Sequence, residues 1–323
     1  CRVVGRYWGI DWLEIPGQGL LYEYAWKRRW ITTRLLDMPT GKTRVLFDRS
    51  RNDAYADPGD PLHRWTAGGE RVVIDAEMPV EGEVAAEDIP LDIRFSDEHL
   101  LVVNKPPGLV VHPAAGNRAG TLQNALLFLD PALAAVPRAG IVHRLDKDTS
   151  GLMVVARTLE AHHSLVAQLQ ARSVHREYLA VVQSVLTAGG SVDLPIGRHP
   201  VDRLRMAVSA SGKSALTHYR VLDRYSGHSL IEVRLETGRT HQIRVHMAHL
   251  HYPLVGDPLY GGRPRLPRGA SERLRETVMA FPRQALHARR LEVLHPQSGS
   301  AVAWEAETPP DLQALIDVLE SER

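Results

Sequence analysis

His143-Arg144-Leu145-Asp146-Lys147-Asp148-Thr149-Ser150-Gly151 runs directly into the apolar stretch Leu152-Met153-Val154-Val155-Ala156. The first nine residues hold two carboxylates, two cations and two hydroxyls, and Gly151 ends the charged loop in a strand-like run. A short run that is apolar at every position reads as a strand covered on both faces. The loop feeding it therefore carries its polar groups to the rim of the core, where solvent is partly excluded. A carboxylate there is costly unless paired, and a guanidinium partner keeps it ionised. A fixed, charged oxygen with few waters competing for it is what a carboxylate nucleophile needs. On pattern alone an aspartate before a strand is more often a turn-former or a cap.

Working outward, Arg71–Ala76, Leu100–Asn104, Glu177–Gln183 and Leu230–Leu235 read as further strands, the last with period-two alternation. Thr158 is placed to cap a helix through Arg172, with Ala161, Leu165 and Leu169 on one stripe. A second helix is expected over Thr240–Leu250, with Ile243, Met247 and Leu250 on its apolar side and Arg244 off it. A third runs from Asp311 to about Glu320. Strands separated by turns as well as by helices predict an α+β domain with a mostly antiparallel sheet.

The composition, 44% hydrophobic and 24% charged with a formal net charge of +1, excludes a protein that coats nucleic acid through bulk charge, but not a local basic groove. No apolar run is long enough for a membrane-spanning helix. The one cysteine, Cys1, permits no intrachain disulfide and no thiolate metal site, which fits a reducing compartment and a cytoplasmic location. Its place at the start, where an intact reading frame has Met, reads as a truncated or incomplete gene model. His241, His246, His249 and His251 lack the i, i+4 pair with a neighbouring Glu of a zinc helix, so no metal is expected. Thr40-Gly41-Lys42-Thr43 lacks the first glycine of a phosphate-binding loop and reads as a turn.

The segment HRLDKDTSGL, residues 143–152, resembles at each motif position the signature of the RluA class of pseudouridine synthases. Four more blocks resemble that class in the same order. They are Asn104-Lys105-Pro106-Pro107-Gly108 with Val111-His112-Pro113, Arg176-Glu177-Tyr178, the stretch Glu236-Thr237-Gly238-Arg239-Thr240-His241-Gln242-Ile243-Arg244-Val245-His246, and Val255-Gly256-Asp257-Pro258-Leu259-Tyr260-Gly261. The resemblance covers about residues 67–320 and is closest to the RluD type, which modifies large-subunit ribosomal RNA. It implies a pseudouridine synthase fold: a mostly antiparallel mixed sheet with flanking helices and a central catalytic cleft. It also implies roles. Asp146 would be the nucleophile or essential carboxylate. Tyr178 would stack on the target base and assist proton removal at C5, Arg244 would orient Asp146 through an ion pair, and Arg144 would fill the gap left by the flipped nucleotide. No cofactor is implied. The implied partner is RNA, and the protein is expected to act as a monomer without a membrane.

Isomerising uridine breaks a C–N bond, turns the uracil and forms a C–C bond, with no redox step. One carboxylate suffices, whether it attacks C1′ or abstracts a sugar proton to give a glycal. The base must leave its stack first, at a cost of a few kcal/mol that Arg and aromatic contacts must offset. RNA contacts are expected from Arg138, His143, Arg144, Arg198, Arg203, Arg205, Lys213 and Arg239; residues 197–205 form a basic, turn-rich run, and Arg263, Arg265 and Arg268 a second. Any of these can equally be a solvated face. A glycosidase would need an acid as well as a base or nucleophile, and Asp146 with Asp148 only mimics such a pair. A catalytically silent RNA-binding or ribosome-assembly factor is the alternative from another class; the joint presence of Asp146, Tyr178 and Arg244 favours the enzyme.

Residues 1–65 depart from this pattern. They hold five of the six tryptophans and the loop-rich run Ser50–Asp60. Residues 20–64 resemble a propeller piece of the prolyl-oligopeptidase class, notably at Arg44–Ser50 and Tyr55–Gly59, yet the chain has no Gly-x-Ser-x-Gly nucleophile elbow. The expected organisation is an atypical, chimeric segment 1–65, a remnant of an S4 RNA-binding domain with its linker over 66–90 (final strand Ala67–Ala76), and a catalytic domain over 91–323. A lone propeller piece leaves strand edges unpaired, so residues 1–65 are expected to be poorly ordered or loosely docked.

Overall fold

The computed structural model describes residues 6–13, 18–25, 30–50, 63–65, 71–73, 84–113, 117–202 and 204–322. The chain divides into two compact units, Cys1–Glu83 and Val84–Arg323. The division falls inside the linker expected over 66–90.

In the first unit β1 (Arg6–Leu13), β2 (Gln18–Ala25), β3 (Trp30–Asp37) and β4 (Lys42–Ser50) form an antiparallel meander in sequence order. Beyond it, β5 (His63–Trp65) pairs with β6 (Arg71–Val73), which runs parallel to β1. The expectation of poor order rested on unpaired edges. Among the described residues β6 pairs with the free side of β1, and β4 and β5 stand at the two edges of the sheet. The stretch Thr40–Thr43 contains the turn between β3 and β4, where the Thr40 hydroxyl donates to Asp37 and Gly41 takes a φ of +62°. Of the strand expected over Ala67–Ala76, Arg71–Val73 is seen; residues 66–70 and 74–76, like the run 51–62, lie outside the described residues.

The second unit contains β7 (Asp92–Ser96), β8 (Leu100–Lys105), β9 (Ser150–Ala156), β10 (His175–Gln183), β11 (Gly190–Asp193), β12 (Ile196–Arg198), β13 (Met206–Val208), β14 (Leu216–Arg224), β15 (His228–Leu235), β16 (Leu286–Leu294) and β17 (Ala301–Glu305). Its helices are α1 (Leu122–Leu129), α2 (Leu159–Gln170), α3 (Gln242–His249), α4 (Glu272–Ala280) and α5 (Pro310–Ser321). Nine strands form one sheet in the order β11-β14-β15-β10-β16-β9-β8-β7, with β17 also on β16, while β12 and β13 make a separate hairpin. The pairing of β16 with β9 is parallel and the others are antiparallel, as the α+β reading expected.

Side chains alternate across each strand, and β8 and β9 are covered on both sides. Leu101, Val103, Met153 and Val155 pack with Leu122 and Leu126 of α1. Leu100, Val102, Leu152, Val154 and Ala156 pack on the other face with Ala161 and Leu165 of α2. That double cover is why Leu152–Ala156 is apolar at every position. Thr158 caps α2, accepting from the Ala161 N–H at 3.1 Å. At the head of β9 only glycine fits: Gly151 has φ +118°, and a Cβ there would stand 2.3 Å from the Ala288 carbonyl oxygen. The close approach of β16 thus begins where the charged loop ends.

Two histidines are buried in this sheet as neutral rings. Burial pushes His228 and His287 down to about 4, and neither ring nitrogen of His228 has a hydrogen-bond partner. Unfolded, both would titrate near 6.5. Between pH 6.5 and 4 the unfolded chain therefore binds more protons, so stability falls as pH falls through that window, by up to about 1.4 kcal/mol per pH unit for each ring. Urea midpoints measured from pH 7 to pH 4.5 should drop steadily, and His228→Leu should flatten the slope. An unchanged slope in that variant would show that His228 is not the group taking up the proton.

Candidate active site

The loop 146–150 is tied down residue by residue from distant parts of the chain. Fully buried Lys105 donates from Nζ to the Lys147 carbonyl at 2.8 Å and also to those of Pro106 and Leu109. The Gly108 N–H donates to the same Lys147 oxygen at 2.9 Å. Arg283 donates to the Asp148 carbonyl while its fork holds Asp311 at 2.6 and 2.9 Å. Gln284 donates to Thr149 Oγ1 at 3.0 Å, and the Ser150 hydroxyl meets His287 Nδ1 at 3.0 Å. Rigid support of this kind holds a reacting group within the narrow tolerance that chemistry needs.

Asp146 and Arg244, 98 residues apart in sequence, meet at 3.0 Å through Arg244 Nη1 and Asp146 Oδ2. The fork of Arg244 is used elsewhere, since Nε and Nη2 take both oxygens of Asp257 at 2.7 and 2.9 Å. Sequence reasoning gave Asp257 no role. Its side chain is fully buried, and Oδ1 also accepts from the N–H groups of Leu259 and Tyr260. Burial opposes the charge of Arg244, but the bonds and charge of Asp257, and then Asp146, outweigh it and raise its pKa. Arg244 is therefore a buried cation between two carboxylates and not a cleft-facing side chain. Asp257 fixes it, and it spares one arm for Asp146. Among the described residues Asp146 Oδ1 has no hydrogen-bond donor, and His241 Nε2 stands 4.0 Å from it.

His241 precedes α3 with a left-handed φ of +56°. Its Nδ1 lies 2.8 Å from the hydroxyl of Tyr260, which also accepts from the Met206 N–H at 2.8 Å. His241 Nε2, the ring nitrogen on the other side, lies 4.0 Å from Asp146 Oδ1. Burial lowers the pKa of His241, against the pull of Asp146. The Tyr260 ring has the guanidinium carbons of Arg244 and Arg205 within 5.1 and 5.2 Å of its centroid, linking the ion-pair chain to the β12–β13 hairpin.

Tyr178 is buried on β10 in the same apolar cluster as Leu145 and Ile243, the neighbours of Asp146 and Arg244 in sequence. Burial raises its pKa, with Arg176 opposing and Asp146 adding, so the phenol stays protonated. His143 is half-buried, and its Nε2 accepts from the Val154 N–H at 3.1 Å, which leaves only Nδ1 for RNA. Burial, then Arg176, push it down to about 3. Arg138, Arg144, Arg198 and Lys213 are exposed, and Arg205 is half-buried. Arg239 donates to the Ser214 carbonyl at 2.9 Å, and Arg203 lies outside the described residues. The expected RNA contacts are thus spread over several loops.

His246 binds Thr217 Oγ1 and the Leu194 carbonyl, and no group of three His, Cys, Asp or Glu side chains suited to a metal ion occurs among the described residues. A cavity of about 580 Å³, lined by residues including Pro90, Arg94, Lys105, Pro107, His287 and Pro310, contains none of Asp146, Tyr178 and Arg244. Concavity there is not matched by converging chemistry.

Lys105 gives a prediction at this point. Burial draws its pKa down to about 7, opposed by Asp148 and Asp146, while three carbonyls match the three N–H donors of the charged form. Lys105→Met leaves those acceptors unpaired and should cost about 2 kcal/mol or more. The loop it releases carries Asp146, so kcat should fall with KM little changed. Steady-state kinetics with urea unfolding checks both; a loss confined to KM would contradict the positioning role.

Similarity to known proteins bears on the same residues. The model of the RNA pseudouridylate synthase family matches residues 99–249. "Ribosomal large subunit pseudouridine synthase D" of Pseudomonas aeruginosa is 59% identical over 266 residues, 82% of each chain. The protein of that name in Xanthomonas campestris pv. campestris is 56% identical over 281 residues, covering 84% of this chain and 85% of the relative. That of Escherichia coli K12 is 56% identical over 255 residues, 79% and 78%. Among solved structures, human RNA Pseudouridylate Synthase Domain Containing 4 aligns with a TM-score of 0.54 at 26% identity, over 71% of this chain and 93% of that one. Three of the five sequence blocks meet in one ion-pair chain of Asp146, Arg244 and Asp257, and this identity over most of the length shows that the chain belongs to the RNA pseudouridylate synthase family.

Proposed function

We propose that Asp146 is the carboxylate that reacts with the target nucleoside as uridine is isomerised to pseudouridine in large-subunit ribosomal RNA. The observation that carries this reading is the division of labour on Arg244. Asp257 takes its fork, and Asp146 receives one arm and keeps an oxygen unbonded. A carboxylate held in place yet not saturated can attack C1′ or take a sugar proton. Tyr178, beside Leu145 in the apolar floor, is the platform for the uracil, and its protonated hydroxyl is available for a proton relay at C5. Arg144, exposed two residues before Asp146, replaces the flipped base in the RNA. The relatives are named for the ribosomal large subunit and the family for RNA, which together support large-subunit ribosomal RNA as the substrate here. The protein is proposed to work as a monomer on ribosomal RNA in the cytoplasm. Among the described residues no helix is long and apolar enough to cross a membrane.

The test is to map pseudouridine in large-subunit ribosomal RNA from cells with the gene, without it, and complemented by Asp146→Asn. Sites should vanish on deletion and return only with the wild-type gene. An unchanged map would reject the substrate, and restoration by the Asn variant would reject Asp146.

A further inference from the structure

Arg176 is a buried cation with no carboxylate partner among the described residues. It stands on β10 two residues before Tyr178, so both side chains leave the same face of the strand. The residue is 7% exposed, and its Nε is closed off without a hydrogen-bond partner. The other two buried arginines among the described residues have carboxylate partners: Arg244 has Asp257 and Asp146, and Arg283 has Asp311. Carboxylates along the same strands are engaged elsewhere. Glu177, on the opposite face, pairs with Arg234 at 3.0 Å and Arg290 at 3.6 Å, and Glu236 pairs with Arg172 and His218.

The surroundings of the guanidinium point to a ligand. Its Nη1 lies under exposed Gly238, where an added Cβ would come within 2.8 Å. Gly238 belongs to the loop that leads through His241 to Arg244. Arg176 also acts electrostatically on His143, three residues before Asp146, and on Tyr178. The head group is thus set among the three segments that surround Asp146, and beneath the one residue type that leaves its outer side uncovered. An uncompensated buried charge costs several kcal/mol unless an anion completes it.

We propose that this anion is a phosphodiester of the bound RNA, next to the target uridine, received by the fork of Arg176 over Gly238. The inference rests on the RNA-isomerase reading above and adds to it a phosphate subsite inside the active site. It differs from the exposed arginines of the loops, whose contacts are solvated and screened by salt. A guanidinium matches two phosphate oxygens at once, and in a water-poor site one such contact fixes the position of the adjoining sugar.

The experiment uses the full chain and an RNA fragment that the wild type modifies. The fragment is made with the natural backbone, and with one neutral methylphosphonate either 5′ or 3′ of the target uridine. For one placement the wild-type kcat/KM should fall about 10- to 100-fold, the range for a hydrogen bond to a charged group. Arg176→Met should lose a similar factor on natural RNA and nothing further on that methylphosphonate RNA. Its melting temperature should equal or exceed that of the wild type, because an unpaired buried charge has been removed; a purely structural arginine would lower it. Arg176→Gln repeats the cycle with a polar, uncharged side chain, should the methionine variant fold poorly. Independent, multiplicative losses, or a wild type indifferent to both neutral linkages, would overturn the subsite while leaving the isomerase reading intact. A wild type that forms no pseudouridine in natural RNA would overturn both.

Discussion

Asp146→Asn is expected to lower pseudouridine formation by about 10⁴-fold or more, the scale seen when a reacting side chain is removed from an enzyme. RNA affinity should stay within roughly a few-fold, because binding is dominated by phosphate contacts to which one half-buried carboxylate adds little. The substitution is informative because the structure can absorb it. The amide oxygen can still accept from Arg244 Nη1, and Arg244 remains fixed by Asp257 at 2.7 and 2.9 Å. The backbone ties on Lys147 and Asp148 do not involve the Asp146 side chain, so the loop keeps its shape. What disappears is the charge, together with the unbonded oxygen that faces His241 Nε2 at 4.0 Å. Single-turnover product formation at saturating enzyme, beside filter binding of the same RNA, separates the two quantities. Turnover near the wild-type rate would remove Asp146 from the chemistry. A large loss of affinity would make it a binding residue.

The part of this site legible in the sequence is the part written in local pattern. The charged loop ending at Gly151 and the uninterrupted apolar run after it gave β9, because burial on both faces leaves a signature in consecutive residues. Thr158 and the stripe Ala161, Leu165 likewise gave α2. The pairing of Asp146 with Arg244 came from resemblance, since nothing in either segment alone names its partner. The residues passed over are those whose importance is created by long-range contact. Asp257 lies in the family-like block Val255–Gly261, yet a carboxylate's burial depends on which cation turns toward it, here one 13 residues away. Lys105 looks like any loop lysine until three carbonyls are found around its ammonium. Arg283 and Gln284 follow a proline in a stretch with no periodicity, and only the fold carries them under Asp148 and Thr149. His241 lacks the spacing of a zinc helix and has no other local signature, but its hydrogen bond to Tyr260 holds it 4.0 Å from Asp146. In the first unit the strand that runs parallel to β1 begins 58 residues beyond its end, too far for local reading to pair them.

Asp257→Asn should reduce both stability and turnover although the side chain is fully buried and reaches no substrate. The two oxygens of Asp257 accept four hydrogen bonds, two from Arg244 and one each from the N–H groups of Leu259 and Tyr260. An amide offers one oxygen in place of two, and its NH2 group must face a donor. Breaking a buried pair from one side leaves an uncompensated charge, and the expected cost is about 3–5 kcal/mol. The catalytic consequence follows from where the released guanidinium goes. With its anchor weakened, Arg244 can turn its fork on Asp146 and occupy both oxygens, or drift and hold neither. Either outcome removes the arrangement of one arm bound and one oxygen unbonded, and a misplacement of about 1 Å is enough for roughly a 10²-fold loss in kcat. KM should change little, since the phosphate contacts lie elsewhere. The double variant Arg244→Met/Asp257→Leu separates the two effects: it should recover the part of the stability lost to the uncompensated Arg244 charge, though not the part owed to the N–H groups of Leu259 and Tyr260, and none of the activity. Urea midpoints with single-turnover rates on the single and double variants would decide it. If Asp257→Asn kept both wild-type stability and wild-type kcat, the orientation of Asp146 would have to come from the loop tethers of Lys105 and Arg283 alone.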